Sequence, residues 1–115
     1  MGFRLVQVLE SGAIMEAKVG PHLANPTGMI HGGTLAGLCD STMGQSAVGL
    51  APKGKIPTNV DLHVRFLRAP IPGPVLATSS VVRSGRTGAV LACEVTQEGK
   101  VIATATSQFV WIGAR

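Results

Sequence analysis

The stretch NPTGMIHGGTLAGLCDSTMGQSAVGLAPK, Asn25 to Lys53, decides how the chain must fold. Its start is rich in Gly, Pro and Asn and reads as the end of a loop that opens near Gly20. From about Thr34 to Leu50 the pattern predicts a helix: no β-branched run interrupts it, and Pro52 stops it. That helix carries Gly37, Gly44 and Gly49 and no Lys, Arg or Glu. Each interior Gly costs ~1 kcal/mol relative to Ala, so packing rather than propensity must hold it together. Residues that are apolar or small nearly all round predict burial on most sides. Leu35, Leu38, Thr42 and Ser46 form one stripe, expected to face the concave side of a sheet. Ala36, Asp40, Met43 and Ala47 form another. Between His31 and Lys53, Asp40 is the only charged side chain.

Working outward, residues 3–9 and 13–19 read as two strands joined by a turn at Ser11–Gly12. Downstream, TNVDLHVRF (Thr58–Phe66) alternates as one strand, with Val60, Leu62, Val64 and Phe66 on one face and Asp61, His63 and Arg65 on the other. APIPGP (Ala69–Pro74) breaks the pattern. VLATSSVVR, AVLACEVTQ and VIATATSQFVWI are three further strands, with SGRTG and EGK as their turns. The order β-β-α-β-β-β-β makes an α+β domain spanning 1–115, an antiparallel sheet around one central helix.

Of the 115 residues, 45% are hydrophobic and 14% charged, a surface short of charge that suits a chain hiding part of itself in an oligomer. No apolar run approaches the ~20 residues that span a bilayer. MGFRLVQVLE lacks the apolar core of a signal peptide, and Val6 stands where a myristoylation start needs Ser or Thr. A cytoplasmic protein without membrane contact is expected. Cys39 and Cys93 have no CxxC spacing and no Cys/His cluster around them, so no metal site is expected and both read as reduced, partly buried thiols. The net charge of +4 suits an anionic partner. With no Tyr, one Trp and three Phe, stacking platforms for nucleic acid are scarce. A small polyanion, such as a nucleotide-bearing cofactor, fits better.

A buried, unpaired carboxylate is costly. Asp40 therefore reads in three ways: a structural residue bonded to nearby backbone or hydroxyls, a catalytic base or nucleophile, or a solvent-facing charge. Gly37 and Gly44 leave space beside it. His31-Gly32-Gly33 lies at the expected helix start, where backbone N–H groups lack internal partners and the helix dipole is positive. An oxyanion could settle there. The donor and the carboxylate on one helix make a stronger signal together than either alone.

NPTGMIHGGTLAGLCDSTMG resembles the signature N-x-x-G-x-x-H-G-G, followed by Asp or Glu on the helix, of hotdog-fold acyl-CoA thioesterases of the phenylacetate-degradation (PaaI-like) and 4-hydroxybenzoyl-CoA type. GFRLVQV, TNVDLHVRFLRAP and the last three strands resemble the matching strands of that family. The family usually carries a short helical segment ahead of its first strand, and here Phe3 already opens that strand. The resemblance implies a hotdog fold and thioester hydrolysis. By position, Asp40 matches the catalytic carboxylate, nucleophile or general base. Gly32 matches the residue whose N–H polarises the thioester carbonyl. His31 and Asn25 match residues that shape the site, and Thr58 falls where the family often has a Ser or Thr assisting the carboxylate. No separate cofactor is implied, since CoA is part of the substrate. Gly33 allows close approach of that substrate, and Arg83, Gly85 and Arg86 in RSGRTG are the first candidates for its phosphates. Lys53, Lys55, Arg65 and Arg68 are the others.

Gly32 and Asp40 are eight residues apart, about 12 Å along a helix axis. A reacting carbonyl must lie ~3 Å from both groups. One chain cannot readily build that site, whereas two antiparallel helices can, which agrees with the dimers, and dimers of dimers, that the resemblance implies. A hotdog hydratase or dehydratase, a non-catalytic acyl-CoA-binding hotdog and a structural interaction domain are the rival readings.

Overall fold

A computed structural model of the chain describes residues 3–9, 12–19 and 32–113. It contains β1 (Phe3–Leu9), β2 (Gly12–Val19), α1 (Gly32–Leu50), β3 (Lys55–Asn59), β4 (His63–Phe66), β5 (Gly73–Ser84), β6 (Gly88–Gln97) and β7 (Lys100–Gly113). The seven strands form one antiparallel sheet in the order β1-β2-β5-β6-β7-β3, with β4 also pairing with β7. The helix lies across its concave face, the arrangement the hotdog resemblance implies. No helix among the described residues is long and apolar enough to cross a membrane.

Alternation along the strands builds the core. Ala13, Met15 and Ala17, Val75 and Ala77, Leu91, Cys93 and Val95, and Ala103, Ala105 and Phe109 all turn inward and are buried. Many are alanines, which lets the sheet close around the helix. From the helix, Leu35, Leu38, Cys39, Thr42, Met43, Ser46 and Ala47 are buried against them. The buried stripe is thus wider than Leu35-Leu38-Thr42-Ser46, since it takes in Met43 and Ala47. The helix is not enclosed on most sides in one chain. Gly33, Gln45, Val48 and Gly49 are exposed, and Ala36, Gly37, Asp40, Ser41 and Gly44 are only half-buried.

A polar seam fixes the helix to the sheet. The Ser79 hydroxyl accepts the Ala13 N–H at 3.0 Å and lies 3.3 Å from the carbonyl oxygens of Ala13 and Thr42. It also meets the Ser46 hydroxyl. Thr42 donates back to the Leu38 carbonyl at 2.6 Å. No buried side-chain polar atom among the described residues lacks a partner, so the seam avoids the penalty of unpaired burial. Gly12 is obligatory beside it, because a Cβ there would stand 2.0 Å from the Ser79 carbonyl oxygen. The EGK turn closes as expected: Glu98 and Gly99 both adopt positive φ (52° and 77°), the backbone of a tight two-residue hairpin.

One strand reads differently in the structure. TNVDLHVRF is not a single alternating strand but two short ones, so the order becomes β-β-α-β-β-β-β-β. Asn59 faces Phe109 and His63 faces Thr106. The chain therefore spends four steps where β7 spends three, which is a bulge of one residue. Asp61 holds it: its carboxylate accepts the Gln108 N–H at 2.8 Å, and its carbonyl accepts the Ser107 hydroxyl at 2.6 Å. Val60 N–H donates to the Gln108 carbonyl at 2.9 Å. Because strand side chains alternate, one extra residue swaps the faces on its two sides. Val64 and Phe66 pair with inward-facing Ala105 and Ala103, whereas Thr58 pairs with outward-facing Val110.

Candidate active site

Asp40 sits half-buried in the middle of α1. Its Oδ1 accepts a hydrogen bond from Asn59 Nδ2 at 3.1 Å. Asn59 reaches it because its partner in the ladder, Phe109, faces the core. Thr58, one residue back, lies on the convex face and is not brought to Asp40. Asn59 was not among the residues singled out from the sequence. The available signal was Asp61, a poor strand former in the middle of an apolar alternation.

Gly32 is the first residue of α1 and half-buried, and Gly33 is exposed. The ring of Phe66 lies against Gly32: a Cβ added there would stand 3.1 Å from Cζ of Phe66. The β3–β4 strip therefore runs beside the helix in the opposite direction, Asn59 at Asp40 and Phe66 at Gly32. Each end of the candidate machinery has its own companion from the sheet edge. His31 and Asn25 lie outside the described residues.

The cationic candidates lie elsewhere. Arg83, Gly85, Arg86, Thr87, Gly88, Val90, Gln108 and Val110 line a groove of about 290 Å³. Arg83 pairs with Val90, and Val90 with Gln108, which places this groove on the convex face, across the sheet from Asp40. Its turn is firmly held. Gly85 N–H bonds the Gly88 carbonyl at 2.8 Å, and Trp111 donates its indole N–H to the Gly85 carbonyl (3.0 Å) and its backbone N–H to Thr87 (3.1 Å). Arg65 lies on the convex face near His63, and Arg68 lines a second groove with Lys100, Gln97 and Ile71. Lys53 and Lys55 are exposed near the end of the helix.

Cys39 and Cys93 are free and buried. The neighbouring Cys39 thiol, together with burial, holds the Cys93 thiol protonated well above the usual thiol range, the opposite of what a thiolate nucleophile needs. Among the described residues no three His, Cys, Asp or Glu side chains cluster to hold a metal ion.

A family model described as the acyl-CoA thioesterase N-terminal domain matches residues 21–110. The chain belongs to this acyl-CoA thioesterase family. The match takes in the helix, residues 21–31 ahead of it and every strand from β3 to β6, so Asn25, His31, Gly32, Asp40 and Asn59 all fall within it. Among solved structures, a conserved protein of Pseudomonas aeruginosa shares 27% identity at a TM-score of 0.90, over 96% of this chain and 89% of that one. The Escherichia coli PaaI protein from the phenylacetic acid degradation operon shares 23% identity at 0.89, over 97% of this chain and 80% of that one. A thioesterase of Haemophilus influenzae shares 20% at 0.89, over 96% and 78%. At such identities the last two show a common fold. No significant match was found among curated proteins. Family and fold together support acyl-CoA thioesterase activity in general terms.

Proposed function

We propose that this chain hydrolyses acyl-CoA thioesters at sites shared by two copies, with Gly32 of one chain and Asp40 of the other at each site. The observation that carries this reading is the pair of companions along one helix. Asp40 and Gly32 stand about 12 Å apart along a regular helix, and each is framed separately, by Asn59 and by Phe66. The helix face that carries them is lined by Gly33, Ala36 and Gly37 between them and Gly44 one turn beyond Asp40, and it is not closed off in one chain. Nothing lies within 4 Å of a Cβ placed at Gly44. A second, antiparallel helix laid on that face sets each Gly32 opposite the other chain's Asp40.

In such a site the Gly32 N–H and the helix dipole take up charge on the carbonyl oxygen as it becomes tetrahedral. Asp40 attacks the carbonyl carbon directly, giving a mixed anhydride that water then opens, or it deprotonates the water that attacks. By either route the electrons of the broken C–S bond leave on sulfur as the CoA thiolate, which needs no strong general acid. Asn59 holds the carboxylate's orientation. The Arg83–Arg86 groove is the anchor proposed for the CoA phosphates. It lies just over the sheet edge, since Thr58 beside it and Asn59 at Asp40 are consecutive residues of β3.

Asp40→Asn tests the assignment. A folded variant of unchanged oligomeric state is expected to lose at least about 100-fold in kcat toward acyl-CoA, the scale of a lost general base. Near wild-type turnover in such a protein would remove Asp40 from the chemistry.

A further inference from the structure

Phe66 holds a place that this chemistry leaves unassigned. Its register opposite Ala103 points it to the helix side of the sheet. Yet it does not enter the core: 55% of it is exposed. The end of its ring rests on the start of α1, with Cζ, Cε1 and Cε2 at 3.1, 3.4 and 3.6 Å from the Cβ position of Gly32. The other aromatic side chains nearby are committed. Phe109 is buried in the core, and the Trp111 indole is tied to Gly85. Phe66 is thus an apolar wall standing directly beside the proposed oxyanion donor.

A carbonyl oxygen within about 3 Å of the Gly32 nitrogen brings its neighbours close to that wall. Two atoms flank the carbonyl carbon, the sulfur and the first carbon of the acyl group. The sulfur leads to an arm rich in amides, while the acyl side is apolar and is the one that matches an aromatic ring. On the thioesterase reading given above, we propose that Phe66 is a specificity-determining residue of the acyl pocket. Its ring leaves room for an unbranched or flat acyl group at the carbon next to the carbonyl and excludes a branched one.

The test compares the wild type with Phe66→Ala and Phe66→Leu on butanoyl-CoA, 2-methylpropanoyl-CoA and benzoyl-CoA. Sedimentation and thermal unfolding run alongside. Phe66→Ala is expected to raise the kcat/KM ratio of 2-methylpropanoyl-CoA to butanoyl-CoA about tenfold and to weaken benzoyl-CoA hydrolysis, with subunit association unchanged. Phe66→Leu keeps more of the packing on Gly32 and should fall between. A ratio shifted less than threefold in both variants overturns the proposal, as does an equal loss on all three substrates accompanied by dissociation, which would make Phe66 an interface residue. A wild type that hydrolyses none of the three overturns the thioesterase reading itself. An active wild type with unmoved ratios overturns only the role of Phe66.

Discussion

Asn59 and Thr58 are consecutive in β3 and serve opposite faces of the sheet. The Asn59 amide donates to Asp40 at 3.1 Å, which fixes one carboxylate oxygen, and the other has no hydrogen-bond partner among the described residues. Such a contact positions a reacting group rather than reacting itself, and small misplacements cost rate. Asn59→Ala is expected to lower kcat about tenfold with KM little changed, the mark of lost orientation. Thr58→Val, on the convex face, should stay within about twofold of wild type, as a surface change away from the site does. Steady-state kinetics on both variants decide between the neighbours, and the reverse ranking would return the role to Thr58. The sequence points to the strand that meets Asp40, and the structure brings Asn59 to the carboxylate where the sequence reading names Thr58, one position earlier. Side-chain alternation assigns faces only when no bulge lies between the residues compared.

The bulge between β3 and β4 makes that difference, and Asp61 is its main fastening. Its carboxylate takes the Gln108 N–H at 2.8 Å while the hydroxyl of Ser107 holds its carbonyl. The nearby contact to His63, at 3.8 Å and exposed, adds little. Asp61→Ala removes the acceptor and is expected to cost about 1–2 kcal/mol, with a fall in melting temperature of several degrees. Asp61→Asn keeps an acceptor oxygen and should cost less. Urea denaturation of both variants checks the order, and equal stability of Asp61→Ala and wild type would show that the bulge is held by its other bonds. Because the bulge sets which residue faces the helix, Asp61→Ala should also lose activity beyond its loss of stability. Local sequence made most elements legible here. Phe3–Leu9 and the three long strands fall where alternation and turn residues put them, and the helix starts at Gly32 rather than Thr34. The third strand alone was misread, because a bulge is fixed by what its partner strand offers, and Ser107 and Gln108 lie more than 40 residues away in sequence.

At the scale of the whole molecule, the open helix face and the separation of Gly32 from Asp40 belong to one question. Mixing two inactive variants answers it. A subunit carrying Asp40→Asn and one carrying Gly32→Pro, which lacks the N–H, combine into a dimer with one site bearing both defects and one intact site. Proline is tolerated at a first helical position, and the exposed ring of Phe66 can yield the few tenths of an ångström that a Cβ at 3.1 Å requires. About half of wild-type activity is expected per heterodimer, and about a quarter for an equal mixture after random subunit exchange, since sites act independently when they share no residue. Subunit exchange confirmed by mass, with no activity regained, would place the site within one chain. The basic groove belongs to this scale too. RSGRTG was legible as a cationic turn, but its place on the convex face, away from Asp40, follows from the register of β5, β6 and β7.

The sequence by itself determined the fold class, the helix and its lone carboxylate, because periodicity, glycine placement and a single charge in an apolar run are local properties. It also determined the distance argument for a shared site, because a helix has a fixed rise per residue. Only the tertiary structure decided that Asn59 meets Asp40, that Phe66 covers Gly32, and that Arg83 and Arg86 lie across the sheet. Each of these depends on strand register, which is set by hydrogen bonds between segments far apart in the chain.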